Sequence, residues 1–93
     1  MVVGLLRLEL FLPASQSLKA KRSVLNHVKE RLRTRFNASV AEVDHQDLWQ
    51  RATLGVAVVS GEAGVADKVL RDIVACVERE DRLSVIDRQI RID

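Results

Sequence analysis

Three cations, Lys19, Lys21 and Arg22, crowd the stretch Ser17-Leu18-Lys19-Ala20-Lys21-Arg22-Ser23-Val24-Leu25. The helical period that follows places them in the first turns of a helix. Free N–H groups at that end already carry partial positive charge, so each cation there costs from a few tenths to about 1 kcal/mol. A phosphate-sized anion would reverse the sign of the effect. The chemistry these residue types could do is therefore the holding of anions. On a wheel of 100° per residue, Lys19, Arg22, Lys29 and Arg33 fall along one flank with Asn26 between them. The stripe is roughly 20 Å long at about 1.5 Å per residue. Lys21 points close to the apolar side, its stem laid over the sheet edge. Arg31 and Arg35 occupy the other flank, where with Arg33 they complement the negative C-terminal end of the helix dipole.

A second polar cluster, Asp44-His45-Gln46-Asp47-Leu48-Trp49-Gln50-Arg51, offers Asp, His and Asp within four residues. Useful metal sites bring three or four ligands at recurrent His or Cys spacings, and none of those spacings is present. The segment reads instead as a polar turn, with Asp44 or Asp47 bonding its own backbone. Trp49 reads as a cap over the core beneath the loop or, with Arg51, as a residue that a partner would touch, since tryptophan is favoured where proteins meet. No glycine-rich phosphate loop occurs: Gly61 and Gly64 flank Glu62 and Ala63 without the rest of that motif. Glu42 and Asp44, alternate residues of a strand, share a face without implying acid–base chemistry. His27 lies near the solvent side of the first helix, away from any nucleophile. An acylphosphatase-like activity would need a glycine-rich first loop carrying an arginine, and Pro13-Ala14-Ser15-Gln16-Ser17 supplies neither. The expectation is a binding module with no catalytic residues, no cofactor, no metal and no small-molecule substrate.

The composition agrees with that class. The 93 residues make one domain, 1–93, with 47% hydrophobic and 30% charged residues. The apolar opening Val2-Val3-Gly4-Leu5-Leu6 is interrupted by Arg7 and Glu9, too soon for a signal peptide or a membrane span. The lone Cys76, with Val74 and Val77 near it, reads as a buried thiol in a reducing cytoplasm. Eleven arginines against four lysines, with few Asn, Cys or Met, hint at a heat-adapted source. The net charge of +2 hides an asymmetry: residues 16–36 hold seven Lys/Arg against Glu30, or +6, and the remainder sums to −4. One segment is a cation on an otherwise acidic protein, a pattern that selects for polyanionic partners.

The elements that must position these residues are periodic. Val2 to Leu12 reads as a strand ended by Pro13, with Ser15 or Ser17 as N-cap of the next element. Leu18, Leu25, Val28, Leu32 and Phe36 mark a helix over 17–36, for which Asn37 suits a left-handed cap. Val40 to Asp44 is a short strand, Thr53 to Val59 an apolar one, residues 62–80 a second helix, and Leu83 to Ile92 a final strand. The order βαββαβ predicts an α+β, ferredoxin-like fold: a four-stranded antiparallel sheet with two helices on one face, first and third strands central. Its open face would present Val3-Leu5-Arg7-Glu9-Phe11 and Thr53-Gly55-Ala57-Val59. RRM domains of this topology stack bases on aromatics in those rows. Here only Phe11 qualifies, so a nucleic-acid role must run through the helix.

The residues Ser17-Leu18-Lys19-Ala20-Lys21-Arg22, Arg35-Phe36-Asn37, Ala41-Glu42-Val43-Asp44 and Leu48-Trp49-Gln50-Arg51-Ala52 resemble the YlxP-like family. These are small bacterial proteins of undefined biochemical function, and the similarity runs over essentially the whole chain. The resemblance implies the ferredoxin-like fold. Because family members are often encoded beside translation initiation and ribosome-maturation factors, it also implies an RNA or ribosome connection. It supplies no catalytic residues. Together these readings predict a cytoplasmic RNA- or ribosome-associated module that does not act at membranes, with Lys19, Lys21, Arg22, Lys29 and Arg33 on phosphates. The alternative is protein–protein or self-association, a homodimer, through the apolar open sheet face or an edge strand.

Overall fold

The computed structural model describes residues 1–93. Its elements are β1 (Val2–Phe11), α1 (Leu18–Arg35), β2 (Ser39–Asp44), β3 (Arg51–Ser60), α2 (Ala63–Glu78) and β4 (Ser84–Ile92). The strands form one antiparallel sheet in the order β2-β3-β1-β4, so the first and third strands are central as expected. With both helices on one face, this is the ferredoxin-like arrangement that the order βαββαβ predicts.

Alternation sorts each central strand into two faces. Leu6, Leu8 and Leu10 of β1 and Ala52, Leu54, Val56 and Val58 of β3 point under the helices. There they meet Leu25, Val28 and Leu32 of α1 and Ala66, Leu70, Ile73, Val74 and Val77 of α2 in one core. Cys76 belongs to that core, a buried free thiol. Gly4 leaves room where Leu70 and Ala66 of α2 pack on the sheet. A Cβ there would stand 3.0 Å from Leu70 Cδ1 and from Val58 Cγ2.

Helix ends follow local chemistry. Ser17 caps α1, its Oγ accepting from the Ala20 N–H at 3.0 Å. The other end differs from the expectation for Asn37. α1 stops at Phe36 in an extended conformation (φ −130°), its N–H donating to Leu32 O at 2.9 Å. The chain turns directly into β2, and the left-handed conformation is used instead by His45, at φ 60°. No helix is long and apolar enough to cross a membrane.

Candidate functional site

Lys21 overturns part of the sequence reading. It takes its place on the α1 face that also carries Leu25, Val28 and Leu32, and it is fully buried. Its Nζ donates to the carbonyls of His45 (2.8 Å), Gln46 (3.2 Å) and Arg51 (3.2 Å) and lies 2.9 Å from Glu42 Oε2. Glu42 points inward from β2, paired with Leu54 of β3. An ammonium whose protons are shared among four protein oxygens has nothing left for a phosphate, so Lys21 leaves the binding set. Its work is to fix the loop between β2 and β3. Gln50 ties the same loop to the β1–α1 turn, its Nε2 donating to Pro13 O (3.2 Å) and Ser15 O (3.4 Å) while its own carbonyl accepts from Leu12 N–H at 2.8 Å. The loop is thereby held against the N-terminal end of α1. The helix period was the available signal for Lys21: positions 21, 25, 28 and 32 share one side. The carbonyls that receive it come from 24 to 30 residues away in sequence, and no local pattern announces them.

The remaining α1 cations separate into three groups. Lys19 and Arg22 are exposed and Lys29 is half-buried; none of the three joins an ion pair within the chain. Arg33 lies on the same flank and is partly committed, its Nη2 donating to Val40 O of β2 at 2.9 Å. That contact shows the flank overhanging the β2 edge. Arg31 and Arg35 turn the other way: Arg31 Nη2 is 3.0 Å from His27 Nε2, and Arg35 Nη1 donates to Cys76 Sγ of α2 at 3.8 Å. His27 in turn lies 3.9 Å from Glu80 just beyond α2. Glu80 is buried, and the Arg82 guanidinium bonded to it holds its carboxyl down at about 2.

Trp49 is 53% exposed and Leu48 44% exposed, so the loop tip does not close over the core. With Asp47, Gln50 and Arg51 they line a shallow depression of about 440 Å³. Arg51 belongs to the open-face row of β3, opposite Phe11, on the other layer from the α1 cations. Fold geometry thus brings Lys19, Arg22, Lys29 and Arg33 together but leaves Arg51 apart.

Missed by sequence reasoning is a polar network on the open face. Arg7 Nε meets Glu9 Oε1 at 3.1 Å and its Nη2 meets Asp44 Oδ2 at 3.4 Å. The fully buried Thr53 hydroxyl donates to Glu9 Oε2 at 2.7 Å, and His45 Nε2 stands 3.8 Å from the same oxygen. Asp44 Oδ1 accepts from His45 N–H at 2.8 Å, the turn bond expected of it, and this bond with the adjacent imidazole lowers the Asp44 pKa. No three His, Cys, Asp or Glu side chains are placed to hold a metal ion. Beside the network a depression of about 580 Å³ is floored by Leu5, Gly55 and Ala57 and edged by Arg7, Gln89 and Arg91. Gly55 is required at that floor because a Cβ would lie 2.9 Å from Val43 Cγ1.

Comparison with known proteins places this architecture. The chain superposes on a de novo designed protein with ferredoxin fold, solved by solution NMR. The TM-score is 0.64 at 13% identity over 98% of this chain and 86% of the designed one, a likeness of fold alone. In sequence it is 34% identical over 77 residues to the uncharacterized protein YlxP of Bacillus subtilis (strain 168), covering 83% of this chain and 84% of that protein. A family model described as a protein of unknown function, DUF503, matches residues 3–90, and the chain belongs to that YlxP-like family.

Proposed function

We propose that this protein is a binding module that holds the phosphate backbone of RNA, free or within the ribosome, along the outer flank of α1. The observation that carries the reading is the set Lys19, Arg22 and Lys29. These cations line one flank and none forms an ion pair within the chain, next to Arg33, which keeps guanidinium donors beyond the one given to Val40. Unpaired cations in a row attract polyanions, and backbone contacts of this kind carry little sequence information. The sheet supports the same division of labour. Phe11, 37% exposed at the end of β1, is the single aromatic on the open face, so bases find no stacking platform there. The role is one of binding, not catalysis, and the buried thiol of Cys76 suits a cytoplasmic setting.

The test is a salt titration of affinity for a mixed-sequence single-stranded RNA oligonucleotide and for purified ribosomal subunits. Lys19→Glu/Arg22→Glu should weaken binding and flatten the plot of log affinity against log salt by about 0.7 per lost single-strand contact. Lys68→Glu/Arg71→Glu on α2 should leave both unchanged. Equal affinity and slope for the α1 variant and the parent would overturn the reading.

A further inference from the structure

The sheet has two edges, β2 and β4, and β4 is the longer and the less blocked. Edge strands offer unpaired N–H and C=O groups to any other strand, and folded proteins usually block them. β2 is six residues long, its register shifts between Glu42 and Asp44, and Arg33 Nη2 occupies the Val40 carbonyl. β4 runs nine residues, with its irregularity confined to the Val85–Asp87 end. It contains no proline or lysine.

The hydrogen bonding fixes which groups of β4 look outward. Val3 and Asp93 exchange both backbone bonds, at 2.8 and 2.9 Å. Counting by two along the antiparallel pair, Arg91, Gln89 and Asp87 also turn their backbone groups to β1, across from Leu5, Arg7 and Glu9. Arg88, Ile90 and Ile92 therefore turn theirs away from the sheet. The Arg88 N–H is met there by its neighbour's carboxylate, Asp87 Oδ1, at 2.8 Å, a local stand-in for a missing strand.

Charge then selects the occupant. Two copies of β4 meeting antiparallel about a two-fold axis can be centred on any of several residues. Centring on Arg88 or Arg91 sets arginine against arginine, and centring on Ile90 sets Asp87 against Asp93. Centring on Gln89 sets each Asp87 against Arg91 of the other copy, Arg88 against Ile90, and the half-exposed Ile86 against Ile92. No like charges then face each other. The outward backbone groups of Arg88 and Ile90 become ladder partners, and Asp87 and Arg91 form a close, non-hydrogen-bonded cross-strand pair.

We infer that β4 is an interface for a second copy of this chain, paired antiparallel about Gln89 into a continuous eight-stranded sheet. The contact is isologous, so the assembly closes as a dimer. α2 packs over β1 and β4 and α1 over β2, so the α2 helices flank the seam and the α1 cations lie at the two outer ends. Neither Arg91, paired with Asp93 at 2.8 Å, nor Asp87 is buried, and both are free to change partner.

Sedimentation equilibrium of the full chain at tens to hundreds of micromolar tests this, with circular dichroism confirming that each variant is folded. The parent is expected to dimerise. Asp87→Arg alone and Arg91→Asp alone each set like charges opposite one another twice per dimer and should weaken self-association roughly tenfold. An equimolar mixture of the two single variants restores both opposite-charge pairs and should recover the parent affinity as a heterodimer. Asp87→Arg/Arg91→Asp within one chain should recover it as a homodimer. A parent monomeric throughout the range, single variants that associate as the parent does, or a mixture no tighter than its components would overturn the inference. None of these outcomes depends on RNA.

Discussion

α1 and α2 lie side by side on one face of the same sheet and treat charge in opposite ways. On α2, Lys68 pairs with Asp72 and Arg71 with Asp67, both at 2.8 Å and four residues apart, and the helix sums to −1. On α1 the sum is +6. One of its cations is buried to hold a loop, two face α2 or its own neighbours, and a row along the β2 side is left without acids. The capping differs as well. Ser17 satisfies an N–H of α1, whereas Glu62 makes no side-chain cap bond to α2. α2 is a packing helix whose surface is self-neutralised. α1 carries both a structural ammonium and a surface field, and the two uses cannot be told apart by residue type.

Removing the buried ammonium should break this contrast most severely. Lys21→Met leaves Glu42 inward without its cation and the Gln46 and Arg51 carbonyls without the ammonium donor, so stability should fall by about 3–5 kcal/mol. Chemical denaturation measures it. Lys21→Met/Glu42→Leu should recover part of the loss and no more, because the carbonyls of Gln46 and Arg51 still lack the ammonium donor and that of His45 keeps only the Leu48 N–H. Lys19→Met, on the same helix, should change stability little.

The seam between the helices is tested by acid. The Glu80 carboxyl is held at about 2 by its bonds to Arg82, against an ordinary value near 4.5. A depressed carboxylate pKa stabilises the fold above the unfolded-state value, and that stability is lost as pH falls through the folded value. The parent should therefore lose stability progressively between about pH 4.5 and 2. Glu80→Gln should be less stable at neutral pH and flatter across that window. A parallel pair of acid titrations would refute the assignment.

Smallest are the caps. Ser17→Ala should cost about 1 kcal/mol through loss of the Ala20 N–H bond. Glu62→Ser should gain up to about 1 kcal/mol by giving α2 the cap it lacks. Paired thermal melts read both, and equal and opposite shifts would make the two helix starts equivalent.

Much of this molecule was legible in advance because its signals are local. Alternating leucines in β1 and the spacing of Leu25, Val28 and Leu32 require one buried face each, and short loops leave few ways to join them. Strand limits moved by one or two residues, as at β3, where Arg51 and Ala52 extend the ladder opposite Phe11 and Leu10. Asn37 was misread because the turn after α1 needs no left-handed residue.

The βαββαβ order, the core faces, the concentration of positive charge in α1 and the poverty of aromatics on the open sheet can all be read from the amino acids alone. These follow from periodicity and composition, which do not depend on distant parts of the chain. Which cations are free depends on how distant segments pack. Lys21 and Lys19 are the same residue type two positions apart, yet one meets a ring of oxygens supplied by a remote loop and a neighbouring strand, and the other meets solvent. The reason is solvation. An ammonium can be buried only where the fold replaces its water with fixed acceptors, and where those acceptors come together is a property of the packed chain.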